Sequence, residues 1–316
     1  MTSRGGQTPT SSNFRVLADG LRFPEGPLLL PDGDYAVVEI ARGTLTRVTP
    51  DGVTSVIAEL GGGPNGAALG PDGRVYICNN GGFQWHERGG RLFPGDEPEN
   101  YSTGRIERVD LATGAVEVLY THCQGQPLRG PNDLVFDDTG GFWFTDHGKS
   151  RPRERDVTGV FYAHADGSSI TEVVFPMHSP NGIGLSPSGD TLYVAETPTG
   201  RLWAFPLDEP GTIARRPSGS LHRRLIPGRS GFFMFDSLAV EASGRVCVAT
   251  LIDGGITCLD PTESSPSAPE FVPFPDPLTT NICFVGEGLN DALVTLSSTG
   301  QLVCTPWSEA GLKLSF

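Results

Sequence analysis

An oxygen-bearing side chain recurs six times along the chain, each time at the start of a short apolar run. The six residues are Glu25, Asn65, Asn132, Asn181, Asp236 and Asn281. In five of the six copies a glycine follows eight positions later, as Gly73 follows Asn65. Carboxylate and amide oxygens are the ligands that hard divalent cations prefer. The repeat therefore predicts six polar anchors at equivalent places in the fold, some of which bind a metal ion.

Two of these six anchors, Glu25 and Asp236, are carboxylates where the other copies have neutral amides. For Asn65 and Asn281 the favoured interpretation is turn capping, because asparagine suits such positions. A carboxylate near the axis of a repeat is costly to bury unless a partner neutralises it. With the amides of the third and fourth copies, Asn132 and Asn181, the two carboxylates would offer hard oxygen ligands and two negative charges.

This donor set predicts one divalent ion, Ca²⁺ first, with Mn²⁺, Mg²⁺, Zn²⁺ and Fe²⁺ as alternatives. Zinc is the less favoured choice because no histidine or cysteine is among the anchors. The six cysteines form no C-x-x-C pair and are predicted to be buried reduced thiols of a cytoplasmic protein. The net charge of -14 suits a bound cation and opposes binding to nucleic acid or to an anionic membrane.

The elements that must position the anchors are short strands. Runs of four to seven apolar residues alternate with glycine, proline and aspartate clusters, and each repeat supplies about four of them. Four-stranded units repeated around an axis make a β-propeller, so six anchors predict an all-β, six-bladed propeller of antiparallel blades. The last copy shows three strands, and the run at 14–18 is predicted to supply its fourth. We therefore expect a disordered tail at 1–13 and one propeller domain at 14–316.

If each anchor opens its strand at the top of a blade, the loop between the second and third strands also returns to the top. This loop is long in the second blade, at 79–103, and it predicts a lid or a binding wall. The strand-end residues Glu39 and Glu196 are expected at the same mouth. The predicted substrate pocket comprises Trp85, His86, Tyr101, Asp146, His147 and Phe233.

Four phrases in order resemble the SMP-30/gluconolactonase/luciferin-regenerating-enzyme family, from about residue 14 to the end of the chain. They are Phe23-Pro24-Glu25-Gly26-Pro27, Pro131-Asn132-Asp133-Leu134-Val135-Phe136, Trp143-Phe144-Thr145-Asp146 and Pro180-Asn181-Gly182-Ile183. The resemblance implies a six-bladed propeller that holds one divalent metal, usually Ca²⁺, and hydrolyses lactones. It implies that Glu25, Asn181 and Asp236 are metal ligands, with Asn132 beside metal and substrate. Asp236 and Asn132 become the catalytic candidates, Asp236 as general base.

Two positions depart from the family pattern. Some sugar-lactone members have an arginine where this chain has Gly130, and many have a glycine where it has Ser237. With aromatic residues near the mouth, these differences favour a substrate less polar than an aldonolactone, although the aromatics are equally compatible with packing of a lid.

The sequence thus predicts a hydrolase of small lactones in which the metal acts as Lewis acid and water is deprotonated by Asp236 or activated at the metal. Two alternatives stay open: hydrolysis of phosphoesters or fluorophosphates on the same metal, and a propeller that only binds. There is no Gly-x-Ser-x-Gly elbow for a serine nucleophile. The predicted partner is a small molecule, and the sequence does not predict an oligomeric state.

Overall fold

A computed structural model describes residues 13–262 and 269–316. Short runs of β-branched and aromatic residues form antiparallel strands, and glycine turns join them. In blade 1 the strands, from the innermost outward, are Pro24–Leu29, Tyr35–Glu39, Thr44–Val48 and Thr54–Glu59. Those of blade 2 are Pro64–Leu69, Val75–Asn79, Arg105–Val109 and Val116–Tyr120. Blade 3 has Pro131–Phe136, Gly141–Asp146, Thr158–His164 and Ile170–Met177.

The second half of the chain repeats this arrangement. Blade 4 has Pro180–Leu185, Thr191–Glu196, Arg201–Glu209 and Arg224–Ile226, with Thr212–Ile213 also paired to its third strand. Blade 5 has Met234–Val240, Val246–Leu251, Gly255–Leu259 and Glu270–Pro273. Blade 6 has Thr279–Val285, Asp291–Leu296, Gln301–Pro306 and Arg15–Ala18. Three small hairpins lie outside the blades: Trp85–Arg88 with Arg91–Pro94, His122–Cys123 with Gln126–Pro127, and Ser150–Arg151 with Glu154–Arg155.

Both ends of the chain close the ring in blade 6. Arg15–Ala18 pairs antiparallel with Gln301–Pro306, and Val16 lies opposite Val303. The first strands of neighbouring blades contact each other all the way around. The six-bladed propeller with this closure confirms the predicted fold. Of the predicted tail, residues 1–12 lie outside the described residues.

Glycine is needed where neighbouring first strands approach closely. A Cβ atom on Gly66 would lie 2.4 Å from the carbonyl oxygen of Asn132 and 3.0 Å from Oδ1 of Asp133. Only a residue without a side chain allows this approach, which brings blades 2 and 3 together beside the anchors.

The hydrophobic core lies between the blades. Between blades 2 and 3 the rings of Tyr76 and Phe136 meet edge to face, with centroids 5.0 Å apart. The bottom of the ring, opposite the anchors, is crossed by the last residues: Leu312 N–H donates to the carbonyl of Val240 at 2.9 Å, and the Phe316 ring lies 5.8 Å from Phe136. Within the described part, no helix is long and apolar enough to cross a membrane.

Candidate metal centre

The six anchors occupy the second or third position of the six first strands, at the top of the ring. In every one of these strands the pairing with the second strand shifts register at or beside the anchor, as between Glu25 and Leu28 in blade 1. A β-bulge interrupts the ladder and re-aims a side chain. At each anchor, the bulge therefore interrupts the regular alternation of side chains between the two faces of the strand, at the place where the six strands converge.

Glu25 is nearly enclosed, with 2% of its surface exposed. Its Oε2 accepts a hydrogen bond from Nδ2 of Asn281 at 2.8 Å and one from the N–H of Gly26 at 3.1 Å. Oδ1 of Asn281 accepts the N–H of Ile282 at 2.8 Å inside the first strand of blade 6. Asn281 therefore lies in a strand rather than in the turn that the sequence suggested, and it orients a candidate ligand.

Asn181 and Asp236 are adjacent across the interface of blades 4 and 5. Nδ2 of Asn181 donates to Oγ1 of Thr197 at 3.1 Å, and its Oδ1 accepts a hydrogen bond from Oγ of Ser237 at 3.4 Å. Asn181 also hydrogen-bonds the carboxyl group of Asp236, which is only half-buried. Asp236 is therefore the candidate ligand most open to the mouth.

Asn132 has a buried amide oxygen, Oδ1, that finds no hydrogen-bond partner among the described residues. An orphaned buried polar atom calls for an explanation, and an ion is one of the few that satisfy it. Since amide oxygens are suitable ligands for hard cations, this atom fits a metal at the centre of the ring.

Asp133 is a member of this site that the sequence analysis missed. It is 8% exposed, its carboxyl group accepts a hydrogen bond from the N–H of Leu134 at 2.9 Å, and the Ser237 hydroxyl lies within hydrogen-bond reach of it. A signal was present in the repeat: three other copies have glycine after the anchor, whereas this copy has an acid.

Burial raises the pKa of all three carboxyl groups. The pKa of Glu25 rises to about 7, that of Asp133 also to about 7 with the charge of Glu25 as second cause, and that of Asp236 well above its ordinary range. No arginine or lysine of the described chain is among the groups that shift them. A divalent cation would neutralise two of these carboxylates, so the donors present fit such an ion.

Three strand-end acids expected at the mouth are engaged with the backbone instead. Glu39, Asp146 and Glu196 are all buried. Their carboxylates accept N–H groups of the segments that lead into the anchors: Arg22 at 2.6 Å for Glu39, Arg129 and Gly130 at 2.7 Å for Asp146, and His178 at 2.9 Å for Glu196. We therefore assign Asp146 a positioning role rather than a substrate contact.

The long loop of blade 2, residues 80–104, is called the lid. Its hairpin crosses the top of blade 1, where the Trp85 ring lies 5.1 Å from Phe23, and reaches blade 6, where Leu92 N–H donates to the Ser298 carbonyl at 2.9 Å. Tyr101 ties the base of the lid to blade 3, because its Oη donates to the Arg129 carbonyl at 2.5 Å. His86 lies on the exposed face of the hairpin.

The two remaining pocket candidates are placed by packing. The pKa of the half-buried His147 falls to about 3, chiefly through burial and then through Arg155, so its imidazole is neutral at physiological pH. Phe233 is 7% exposed, and its ring packs 5.0 Å from Phe235. The aromatic side chain that faces solvent here is its neighbour Phe232, which is 77% exposed.

A second group of ligand-type atoms lies in blade 5, in Glu241, Cys247 and Cys258. Glu241 already accepts hydrogen bonds from Arg245 at 2.7 Å and from Nε1 of Trp307 at 2.9 Å. Its negative charge is thus compensated without a metal, and we interpret the two buried thiols beside it as core residues.

The family model described as SMP-30/gluconolactonase/LRE-like region matches residues 23–298 of this chain. Gluconolactonase of Zymomonas mobilis is 26% identical over 229 residues, which cover 65% of this chain and 58% of that protein. Lactonase drp35 of Staphylococcus epidermidis is 29% identical over 255 residues, which cover 79% of this chain and 70% of that protein.

Among solved structures, the calcium-binding protein regucalcin of Agrobacterium tumefaciens has a TM-score of 0.72 with this chain at 20% identity, covering 96% of this chain and 98% of that one. This likeness shows a shared fold. The matched segment spans less than two thirds of the Zymomonas enzyme, at 58% of its length.

Proposed function

The chain belongs to the SMP-30/gluconolactonase/LRE-like family, and from that premise we propose that it is a divalent-metal-dependent hydrolase that opens a small lactone at the top of the propeller. The observation that most supports the proposal is the set of buried carboxylates and the unpaired amide oxygen of Asn132, which no cationic side chain among residues 13–262 and 269–316 balances. Two relatives whose names state gluconolactonase and lactonase activity support the lactone as substrate class.

Glu25, Asn132, Asn181 and Asp236 would hold the metal. Calcium is the first choice because all four donors are oxygens, and the structural neighbour regucalcin is described as calcium-binding. When bound, the cation supplies Lewis-acid polarisation of the lactone carbonyl and stabilises the negative charge that develops on its oxygen.

The chain's own acid–base chemistry falls to Asp236. It is the more exposed residue of the two carboxylates, whereas Glu25 is enclosed and hydrogen-bonded to Asn281. Asp236 accepts a proton from a water molecule as the water oxygen bonds to the carbonyl carbon. The ring C–O bond then breaks, and the proton passes from Asp236 to the alkoxide, which leaves a hydroxy acid and a regenerated carboxylate.

The walls of the site limit what enters it. The lid covers the tops of blades 1 and 2 and is bonded to blades 3 and 6, so the open side of the mouth lies toward blades 4 and 5. Phe232 is 77% exposed and lies four residues before Asp236, and we propose that its ring lines that side. An exposed aromatic ring at the entrance favours a lactone with an apolar substituent over a polyhydroxylated sugar lactone.

The test is a metal analysis followed by a substrate panel. We would strip the purified protein with EDTA, reload it with Ca²⁺, Mn²⁺ or Mg²⁺, and assay sugar lactones, alkyl- and aryl-substituted lactones and a fluorophosphate. Metal-dependent lactone turnover is expected. Turnover of the fluorophosphate alone would replace the substrate class, and a metal-loaded protein that turns over nothing would be a binding scaffold.

A further inference from the structure

One of the only two lysines in this chain is completely buried. Of its 23 basic residues 21 are arginines, and the lysines are Lys149 and Lys313. Lys149 follows the second strand of blade 3 and is 1% exposed. Lysine is rarely buried to this extent unless its ammonium group is paired, so its surroundings call for an explanation.

All the groups that contact the Lys149 ammonium belong to the lid. Nζ donates to the carbonyl oxygen of Gly82 at 2.6 Å and to Oδ1 of Asn80 at 3.1 Å. It also lies 4.3 Å from the centre of the Phe83 ring and 5.5 Å from that of Tyr101. The direct contacts of a charge carried by blade 3 are thus made with the base of the blade 2 lid.

Burying this charge is unfavourable on its own. Desolvation lowers the pKa of Lys149 to about 7, against the attraction of Asp146, Glu97 and Asp156. Two hydrogen bonds to oxygen and two ring faces offset the lost hydration. An apolar side chain would pack here without that penalty, so the charge indicates a specific link rather than filling of space.

The link acts where the lid leaves the propeller. The N–H of Asn80 donates to the carbonyl of Gly63 at 2.8 Å, two residues before the anchor Asn65. On the outer side of the lid, Arg151 pairs with Glu97 at 2.8 Å, but both side chains are partly exposed, and such pairs contribute little. Lys149 is therefore a buried side-chain contact between the base of the lid and blade 3, beside the hydrogen bonds of Tyr101 to Arg129 and of Glu97 to Ser150.

We infer that Lys149 is a positioning residue that holds the base of the lid against blade 3 and thereby fixes the wall of the site above blades 1 and 2. A compact ammonium with three donors suits this cradle of two oxygens between two rings. The planar guanidinium of arginine is larger and directs its donors in a fork. Only the kinetic part of the inference rests on the proposed function, since the position of the lid can be measured without turnover.

The experiment compares Lys149→Met with the parent, using hydrogen exchange read by mass spectrometry on the full chain. Methionine keeps the length and apolar stem but removes the charge. Amides in 80–104 should exchange about tenfold faster, because the hydrogen bonds of a charged group are lost, while the blade strands keep parent rates. With a lactone that the parent hydrolyses, KM should rise severalfold with little change in kcat, and calcium affinity should stay close to that of the parent.

Lys313→Met is the matched control, since Lys313 is exposed and should leave every readout unchanged. Parent-like exchange in the lid of Lys149→Met would overturn the inference. If that variant does not fold, Phe83→Leu replaces it: the ring face is lost, the lid should exchange faster, and unchanged exchange would again overturn the inference. A parent that hydrolyses no lactone would refute the proposed function and leave the exchange comparison valid.

Discussion

Glu25 and Asp236 lie near the start of equivalent strands, yet their surroundings suit them to different chemical roles. Glu25 is 2% exposed and its Oε2 is held by Asn281 and by the backbone of Gly26. Asp236 is half-buried and contacts Asn181. A fixed, enclosed carboxylate suits a ligand, whereas an accessible one can also exchange a proton with water.

We expect Asp236→Asn to separate these roles. The amide keeps the shape and one carbonyl oxygen but loses the charge and the proton acceptor. Turnover should stay roughly 10²–10⁴-fold below the parent even when the metal site is saturated. Glu25→Gln is the control and should recover much of its rate with excess metal. Rates of both variants across a calcium titration decide the point, and full recovery of Asp236→Asn would remove the base from Asp236.

Thr197 supports the side chain of Asn181, and this contact leads to a second prediction. Its Oγ1 accepts a hydrogen bond from Nδ2 of Asn181 at 3.1 Å and so holds the amide of a candidate ligand. Thr197→Val keeps the shape without the acceptor. It should weaken calcium binding by roughly 10–100-fold, as the loss of a hydrogen bond that orients a metal ligand typically does. Thr197→Ser should bind like the parent. Calorimetric titration measures both, and equal affinities would show that Asn181 needs no support.

Among the elements, the first strands matter most because each has a bulge, and those of blades 1, 3 and 4 also have an entering segment held by a buried carboxylate. In blade 3 the bulge lies between Pro131 and Leu134, and Asp146 receives two N–H groups of the entering segment. The bulge frees the anchor, and the cap fixes the backbone ahead of it. The site is thus assembled from six separate strand starts, and it depends on a ring that stays closed.

The closing strand gives a prediction about stability. Removal of residues 1–20 deletes Arg15–Ala18, exposes the edge of Gln301–Pro306 and loses the buried side chain of Leu17, which alone contributes about 2 kcal/mol. The melting temperature should fall clearly. Removal of residues 1–12 leaves the strand intact and should have little effect. Equal melting temperatures for the two truncations in calorimetry would contradict the pairing.

The whole molecule is strongly acidic, with a net charge of -14, and it concentrates three carboxyl groups at its axis. Without a cation, burial raises the pKa of all three groups and so favours their protonated forms. A metal that binds only the folded state stabilises it by mass action. Removal of the metal with EDTA should therefore lower the melting temperature and abolish turnover together, and intact turnover after exhaustive chelation would refute the metal requirement.

The pH dependence of the metal-free protein follows from the raised pKa values. The pKa of Glu25 rises from 4.5 to about 7 on folding, so its contribution to stability is present at low pH and is lost as the pH rises through that interval. Asp133 and Asp236 act in the same direction. The gap in melting temperature between calcium-loaded and metal-free protein should thus widen from about pH 4.5 to pH 7. A constant gap in calorimetry would contradict this.

The sequence by itself determined the sixfold repeat, the strands, the glycine turns and the closing strand. Each depends on near neighbours: the left-handed turn at Gly73 needs glycine, and alternating apolar runs make strands. The candidate ligands could be named because they recur at one place in that repeat and match a family pattern. Agreement of local signals explains why the fold was predictable.

Only the tertiary structure decided which polar side chains face the mouth. The carboxylate of Asp146 binds backbone N–H groups, and Asp133 lies among the anchors. Lys149 donates to Asn80, which is 69 residues away in the sequence. Such contacts arise when blades from distant parts of the chain close into a ring and bulges re-aim side chains. Burial and hydrogen bonding then set each group's charge, and neither can be read from the residues beside it in sequence.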